Sequence, residues 1–276
     1  MNKAIEFNNV SFSYIENDKN KFINNLNLII KENSYLALLG KNGSGKSTLI
    51  KLMFAIEKAN SGNIKIFDMD VNENASEIYK ISSLVFQNPD DQIVADTVEL
   101  DIAFAMENYS IPSKDIDKKI DEVLEIVDLS NKRKDKVHSL SGGEKQRLCI
   151  ASSLVLNPKI LVLDEPTSML DNENRIKVMN VLKKIHSMGT TIIIVTHHIN
   201  EIEYCNEVVF MDNGNIVFNG SVNEFVNILI RNEQFHKLNM PINFQLAYEL
   251  YKNKKILIDK DIFNYKKVCE SLWKSL

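Results

Sequence analysis

The chain has 276 residues, of which 44% are hydrophobic and 25% charged, with a net charge of −4 at pH 7. That is the profile of globular protein, long enough for one domain with an appendage, and it excludes collagen-like and disordered chains. The acidic balance leaves no basic footprint for nucleic acid, and no apolar run approaches the roughly 18–20 residues that span a bilayer.

From the start, Met1-Asn2-Lys3-Ala4-Ile5-Glu6 lacks the apolar stretch of a signal peptide. Residues 5–14 alternate as a strand, and 26–30 begin another. Residues 34–39 form a short apolar strand that runs straight into Gly40, and 47–55 read as a helix. Residues 81–86 are strand-like and end at Gln87, where Asn88-Pro89 marks a break. From 88 to about 157 the pattern turns helical, with Ile116, Ile120, Val123, Leu124 and Val127 on one face. The basic run Lys132-Arg133-Lys134, flanked by Asp128 and Asp135, reads as a solvated helix end. Strand signals return at 160–163, 190–195 and 208–211, and Asp212-Asn213-Gly214 predicts a hairpin turn into 216–218. After Gly220 the segments are mainly helical. Cys149, Cys205 and Cys269 form no C-x-x-C pair, which fits reduced thiols of the cytosol rather than a disulfide or zinc framework. The expected fold is α/β: a core over 1–220 with a mixed sheet, a helical insertion at 88–157, and an extension over 221–276.

Glycine is scarce, 9 in the whole chain, yet Gly40, Gly43, Gly45, Gly142 and Gly143 fall in two short segments. The first, Gly40-Lys41-Asn42-Gly43-Ser44-Gly45-Lys46-Ser47, matches G-x-x-x-x-G-K-[ST] at every fixed position. Between a strand and a helix, such a loop wraps phosphates with its N–H groups while Lys46 neutralises charge; Thr48 follows it into the helix. Ser47 is a magnesium ligand candidate. A second candidate, Asp164, ends an apolar strand beside Glu165, and two acids there divide the labour between metal and attacking water. An inert strand-end turn is the blander reading of that pair, and the phosphate loop tips the balance against it.

The second glycine segment, Ser141-Gly142-Gly143-Glu144, has the spacing of a capping box, which starts many ordinary helices. Two glycines are costly in a first helical turn unless a ligand needs the space, so an anion at this helix start is the stronger expectation. Both can hold together if Glu144 turns back to the Ser141 backbone. His197, after a late strand, is a candidate for the γ-phosphate, with His198 pointing elsewhere. Gln87 is a candidate sensor of metal and water. Tyr14 is the best candidate for stacking on a base, ahead of Phe12 and Tyr35.

Together and in this order, these motifs resemble the ATP-binding-cassette (ABC) ATPase family over about residues 3–220. The runs from Val85 to Gln92 and from Thr97 to Phe104, with the loop Ser168-Met169-Leu170-Asp171, are similar to the ATPases of energy-coupling factor (ECF) transporters. The departures are Glu144 where the family often has Gln, His198 where it often has Asp, and Asn172 where Pro is common; none removes a catalytic group. The resemblance implies a P-loop ATPase that uses ATP and Mg2+ and works as a dimer, homo- or heterodimeric, with the 141–144 element completing the partner's site. It further implies a peripheral position on the cytoplasmic face of the cell membrane, a transmembrane coupling protein, a substrate-capture protein, and import of vitamins or metal ions. The alternatives are the ATPase of another ABC importer or exporter, or a soluble ABC protein; the last requires a coiled-coil insertion or a second cassette, and neither is evident here. Within 88–104, Asp90, Asp91 and Asp96 beside Ile93 and Val94 suggest a patch that receives a helix of the membrane subunit.

Overall fold

The computed structural model describes residues 2–15, 22–109, 111–231, 240–254 and 260–275. Its strands form two sheets. In the smaller, β1 (Lys3–Phe12) lies between β2 (Ile23–Lys31) and β4 (Ser61–Ile66), and β5 (Met69–Asp70) folds back on β4; all pairings are antiparallel. The larger sheet contains β3 (Tyr35–Gly40), β6 (Ser82–Val85), β7 (Ile160–Asp164), β8 (Thr191–Thr196), β9 (Glu207–Asp212) and β10 (Asn215–Ser221). Its order is β10-β9-β3-β8-β7-β6, parallel except for the edge strand β10. This is the expected mixed sheet. The hairpin into β10 turns at Asn213 and Gly214, whose φ values of 47° and 74° suit a tight turn with positive φ at both central positions.

The central strands β3, β7 and β8 are buried on both faces, as parallel strands under two layers must be. Alternate side chains serve different cores. Tyr35, Ala37, Leu39, Leu161, Leu163, Ile192 and Ile194 face one apolar cluster, while Leu36, Leu38, Ile160, Val162, Ile193 and Val195 face the other. The second cluster is closed by the smaller sheet and by α1 (Lys46–Met53), whose Leu49 and Leu52 are fully buried. Each contributes about 1.5–3 kcal/mol of burial.

The first cluster is closed by α3 (Val98–Asn108), α4 (Ser113–Ile126), α5 (Gly142–Leu154) and α6 (Asn172–Ser187). In α4 the expected face is the buried one, through Ile120, Val123 and Leu124, with Val127 just beyond. The helices after Gly220, α7 (Val222–Arg231), α8 (Ile242–Lys254) and α9 (Tyr265–Ser275), join the same cluster through Phe225, Leu229, Phe244, Ala247 and Val268. Part of the expected extension lies outside the described residues.

Two readings of the sequence need correction. The smaller sheet's β4 and β5, and helix α2 (Ala75–Ile81), were not expected. Only Ile64 and Ile66 of β4 are buried, too little alternation to show in the sequence, and pairing Ile5 with Ile66 and Phe7 with Ile64 is what makes the strand. Arg133 is not part of a merely solvated run. Its guanidinium donates to Glu99 (3.0 Å), Asp121 (2.7 Å) and Asp117 (2.6 Å), tying α3 to α4.

Candidate active site

The residues Asn42 to Thr48 form one wall of a cleft of about 450 Å3, whose other lining residues are Tyr14, Phe22, Gln87, Asp164 and Glu165. The fold explains the meeting. Parallel strands β3, β6 and β7 present their C-terminal ends on one edge of the sheet, and the phosphate loop, Gln87 and the two acids all follow those ends.

Helix α1 opens at Gly45, with φ of 109° and no side-chain cap, so its first N–H groups are left for an acceptor from outside the helix. Lys46 is buried and donates to the carbonyls of Gly40 (2.8 Å) and Lys41 (3.0 Å). Burial holds its ammonium below the usual 10.5, against the pull of Glu165 and Asp164. Ser44 Oγ, also buried, has no hydrogen-bond partner among the described residues. A buried cation, open helix N–H groups and an orphaned hydroxyl fit a polyphosphate.

Burial, then the neighbouring Glu165, raises Asp164 above the usual carboxylate value, while Lys46 and a hydrogen bond from Ser47 lower it. The Ser47 hydroxyl, Asp164 and the Gln87 carbonyl are hard oxygen donors, too few for an all-protein cage. That suits Mg2+, which keeps waters and phosphate oxygens as ligands. Glu165 sits at φ 45°, a left-handed conformation that costs a non-glycine residue of order 1–3 kcal/mol. Its N–H donates to the Val195 carbonyl at 2.9 Å, which pins the turn to β8. The carboxylate meets Gln87 Nε2 at 3.3 Å and His197 Nδ1 at 3.2 Å, and Gln87 also reaches Ser168 Oγ at 3.3 Å. Gln87 and His197, from two other strand ends, thus converge on the Glu165 carboxylate, Gln87 by a hydrogen bond and His197 by close approach. The His198 ring lies against His197, with centroids 4.2 Å apart, rather than pointing away from it. Burial, then Arg175 and His197, pushes its imidazole down to about 4.

Tyr14 is exposed at the cleft mouth, its hydroxyl bonded to Thr48 Oγ1 at 2.7 Å and its ring edge-on to Phe12. Phe12 and Tyr35, the other aromatic candidates, are buried. Phe22, 6.0 Å from Tyr14 between centroids, joins the cleft. It went unnoticed in the sequence because a lone aromatic before a strand carries no signal.

Ser141, Gly142, Gly143 and Glu144 do not line this cleft. They open α5, where Ser141 Oγ accepts from the Glu144 N–H (3.3 Å) and Glu144 Oε2 accepts from the Ser141 N–H (2.8 Å), a complete capping box. The Ser141 backbone bond lowers the Glu144 carboxyl, as does Lys132, whose ammonium is 3.7 Å away. The two glycines differ. A Cβ at Gly143 would come within 2.5 Å of Asn174, whereas one at Gly142 would meet only Leu170, at 3.7 Å. Gly143 is therefore explained by packing within the chain, and Gly142 is not.

The ABC transporter family model matches residues 23–168. The Energy-coupling factor transporter ATP-binding protein EcfA1 of Clostridium novyi is 40% identical, over 97% of each chain. Among solved structures, cbiO1 of Clostridium perfringens, described as part of the ABC transporter complex cbiONQ, superposes with a TM-score of 0.78 at 30% identity, covering 89% of this chain and 99% of its own. The ATP-binding cassette MJ0796, dimeric in a post-hydrolysis state with ADP and Pi, gives 0.68 at 27% identity, covering 79% of this chain and 98% of its own. The chain belongs to the ABC transporter ATPases, among the ATP-binding proteins of energy-coupling factor transporters.

Proposed function

We propose that this chain binds ATP in the 40–48 cleft, hydrolyses it in a dimer of ABC ATPase subunits, and so powers an ECF-type importer of vitamins or metal ions from the cytoplasmic face of the membrane. The observation that carries the reading is the convergence of Lys46, Ser47, Asp164, Gln87 and Glu165 on one cleft beside an uncapped helix start. Lys46 and the loop N–H groups hold the phosphates, and Tyr14 stacks on the adenine, with Phe22 beside it. Ser47, Asp164 and Gln87 would hold Mg2+, which when bound neutralises charge on the phosphate oxygens. Glu165 orients the attacking water and accepts its proton, and His197 holds the Glu165 carboxylate and reaches the γ-phosphate. Ser141, Gly142, Gly143 and Glu144 face the nucleotide of a second subunit. Their place outside their own cleft, and the dimeric cassette with ADP and Pi, support this reading. The unit that does this work is 1–220, with 88–157 as its helical subdomain and 221–276 as an extension.

The membrane partners are a transmembrane coupling protein and a substrate-capture protein. No helix among the described residues is long and apolar enough to cross a membrane, so the pore belongs to other chains. For the coupling protein's seat we assign the groove of about 390 Å3 between α3 and the end of β6, which exposes Phe86, Val94, Phe104 and Tyr109. Of the two apolar residues expected to be exposed there, Val94 is exposed, while Ile93 is partly buried against the core. Exposed aromatics along a groove suit the apolar face of an amphipathic helix. The test is co-purification with the native membrane proteins. Phe104→Asp should abolish assembly while the free chain still binds ATP, and Lys46→Ala should abolish uptake while assembly persists. A Phe104→Asp chain that assembles normally would place the seat elsewhere.

A further inference from the structure

The segment that follows Gln87 and lines the groove is fastened to the helix start at Ser141 from both sides. Upstream of Ser141, the Val98 and Glu99 N–H groups donate to the carbonyls of Asp135 and Arg133, and the Val137 N–H donates to the Asp96 carbonyl. Downstream, α5 offers Lys145, Cys149 and Ser152, spaced i, i+4, i+7 and so on one face. Lys145 Nζ pairs with Asp90 at 2.7 Å, and Cys149 Sγ lies 3.8 Å from the Pro89 carbonyl. Ser152 Oγ donates to Asp101 Oδ2 at 2.9 Å. Asp101 is the centre of this last connection. Only 5% exposed, its other oxygen accepts the N–H groups of Val94 (2.9 Å) and Ala95 (3.3 Å). A buried carboxylate costs free energy unless its oxygens are satisfied, and here three donors from two separate elements satisfy it.

We infer that Asp101 is a positioning residue. It pins the bend at Val94 and Ala95 to Ser152 on α5, so that occupation of the groove by the membrane subunit is transmitted as a rigid displacement to Ser141, Gly142 and Gly143. The argument rests on the groove being that subunit's seat. Asp101 and Ser152 lie in the wall of the groove, with Asp101 almost wholly buried, and Asp101 acts on the nucleotide side through α5. Strain travels through such a contact because packed, hydrogen-bonded elements shift as units rather than deform continuously.

The experiment compares ATP turnover by the full chain with its ATPase partner, in the presence and absence of the membrane proteins. Ser152→Ala removes the α5 end of the connection and leaves the bend bonded; Asp101→Ala removes both ends. Basal turnover and ATP affinity should be unchanged in both, and assembly retained. Stimulation by the membrane proteins should fall about threefold to tenfold in Ser152→Ala, the equivalent of one lost hydrogen bond, and at least as far in Asp101→Ala, which loses three. Asp101→Asn should restore stimulation, because its amide oxygen accepts the two N–H groups and its NH2 can donate to Ser152. Hydrogen exchange supplies a second reading: docking should slow exchange of the Gly142 to Lys145 amides in the parent chain and not in Ser152→Ala. Unchanged stimulation in Ser152→Ala, a parallel loss of basal turnover, or failure of Asp101→Asn to rescue would each overturn the assignment. If Phe104→Asp assembles normally, the seat itself is wrong and the inference falls with it. If Phe104→Asp abolishes assembly while Ser152→Ala behaves as the parent, the seat stands and only the role of Asp101 is lost.

Discussion

The starts of α1 and α5 both carry glycines, and they treat their free N–H groups in opposite ways. At α1 the cap is Gly45, which has no side chain to offer, and Lys46 is buried against bare carbonyls. At α5 the cap is Ser141, and a complete box with Glu144 satisfies the Ser141 and Glu144 N–H groups, leaving those of Gly142 and Gly143 outside it. A helix start left open asks for an anion to complete it, while one closed on itself is stable before any ligand arrives. The difference suits a cleft that holds nucleotide within one subunit and a second element that meets nucleotide only when another subunit brings it.

The largest effect should come from the cleft. Glu165→Gln should keep ATP binding and lose turnover by about 10²–10⁴, the range of general-base catalysis. Single-turnover hydrolysis by a homogeneous mutant assembly checks this, and near-normal rates would remove Glu165 from its role. The second test asks whether the two helix starts work across subunits. In a mixed dimer of this chain, Lys46→Ala in one subunit and Ser141→Arg in the other should leave one site intact and the other doubly damaged. One lesion in each site would mean that Ser141 serves its own cleft.

A smaller effect is expected from the closed helix start. Glu144→Ala should lower stability by about 0.5–2 kcal/mol in urea unfolding, with ATP affinity of the cleft unchanged. Glu144→Gln should recover most of that loss. Because the folded-state value of Glu144 is depressed below the usual 4.5, its contribution is present at neutral pH and is lost as pH falls through that lowered value. The smallest effect concerns His198. Its folded value of about 4 lies below the usual 6.5, so the unfolded chain binds more protons between the two. Stability should therefore decline as pH falls from 6.5 toward 4, and His198→Gln should flatten that slope in unfolding midpoints. An unchanged slope would show that His198 is not the group that titrates.

The sequence disclosed what local chemistry dictates. Every fixed position of the phosphate loop lies within eight consecutive residues, and strand β7 announces Asp164 and Glu165 by ending on them. The capping role of Glu144 was legible because a box is a local pattern. What depended on distant partners was not. Strand β4 exists through pairing with β1, Phe22 gains meaning only beside Tyr14, and the partial burial of Ile93 is decided by the core it packs against. Arg133 shows the same limit, since the carboxylates it gathers lie 12 to 34 residues away.

The helices after Gly220 bury Phe225 and Phe244 in the cluster that also holds Val208, Phe210 and Ile194, with the Phe218 and Phe225 rings 5.1 Å apart. An appendage that shares its neighbour's core melts with that neighbour. Calorimetry of the whole chain should then give one cooperative transition for the sheet and these helices together. A chain ended at Gly220 would carry an uncovered aromatic face, and its failure would take the form of self-association rather than lost catalysis.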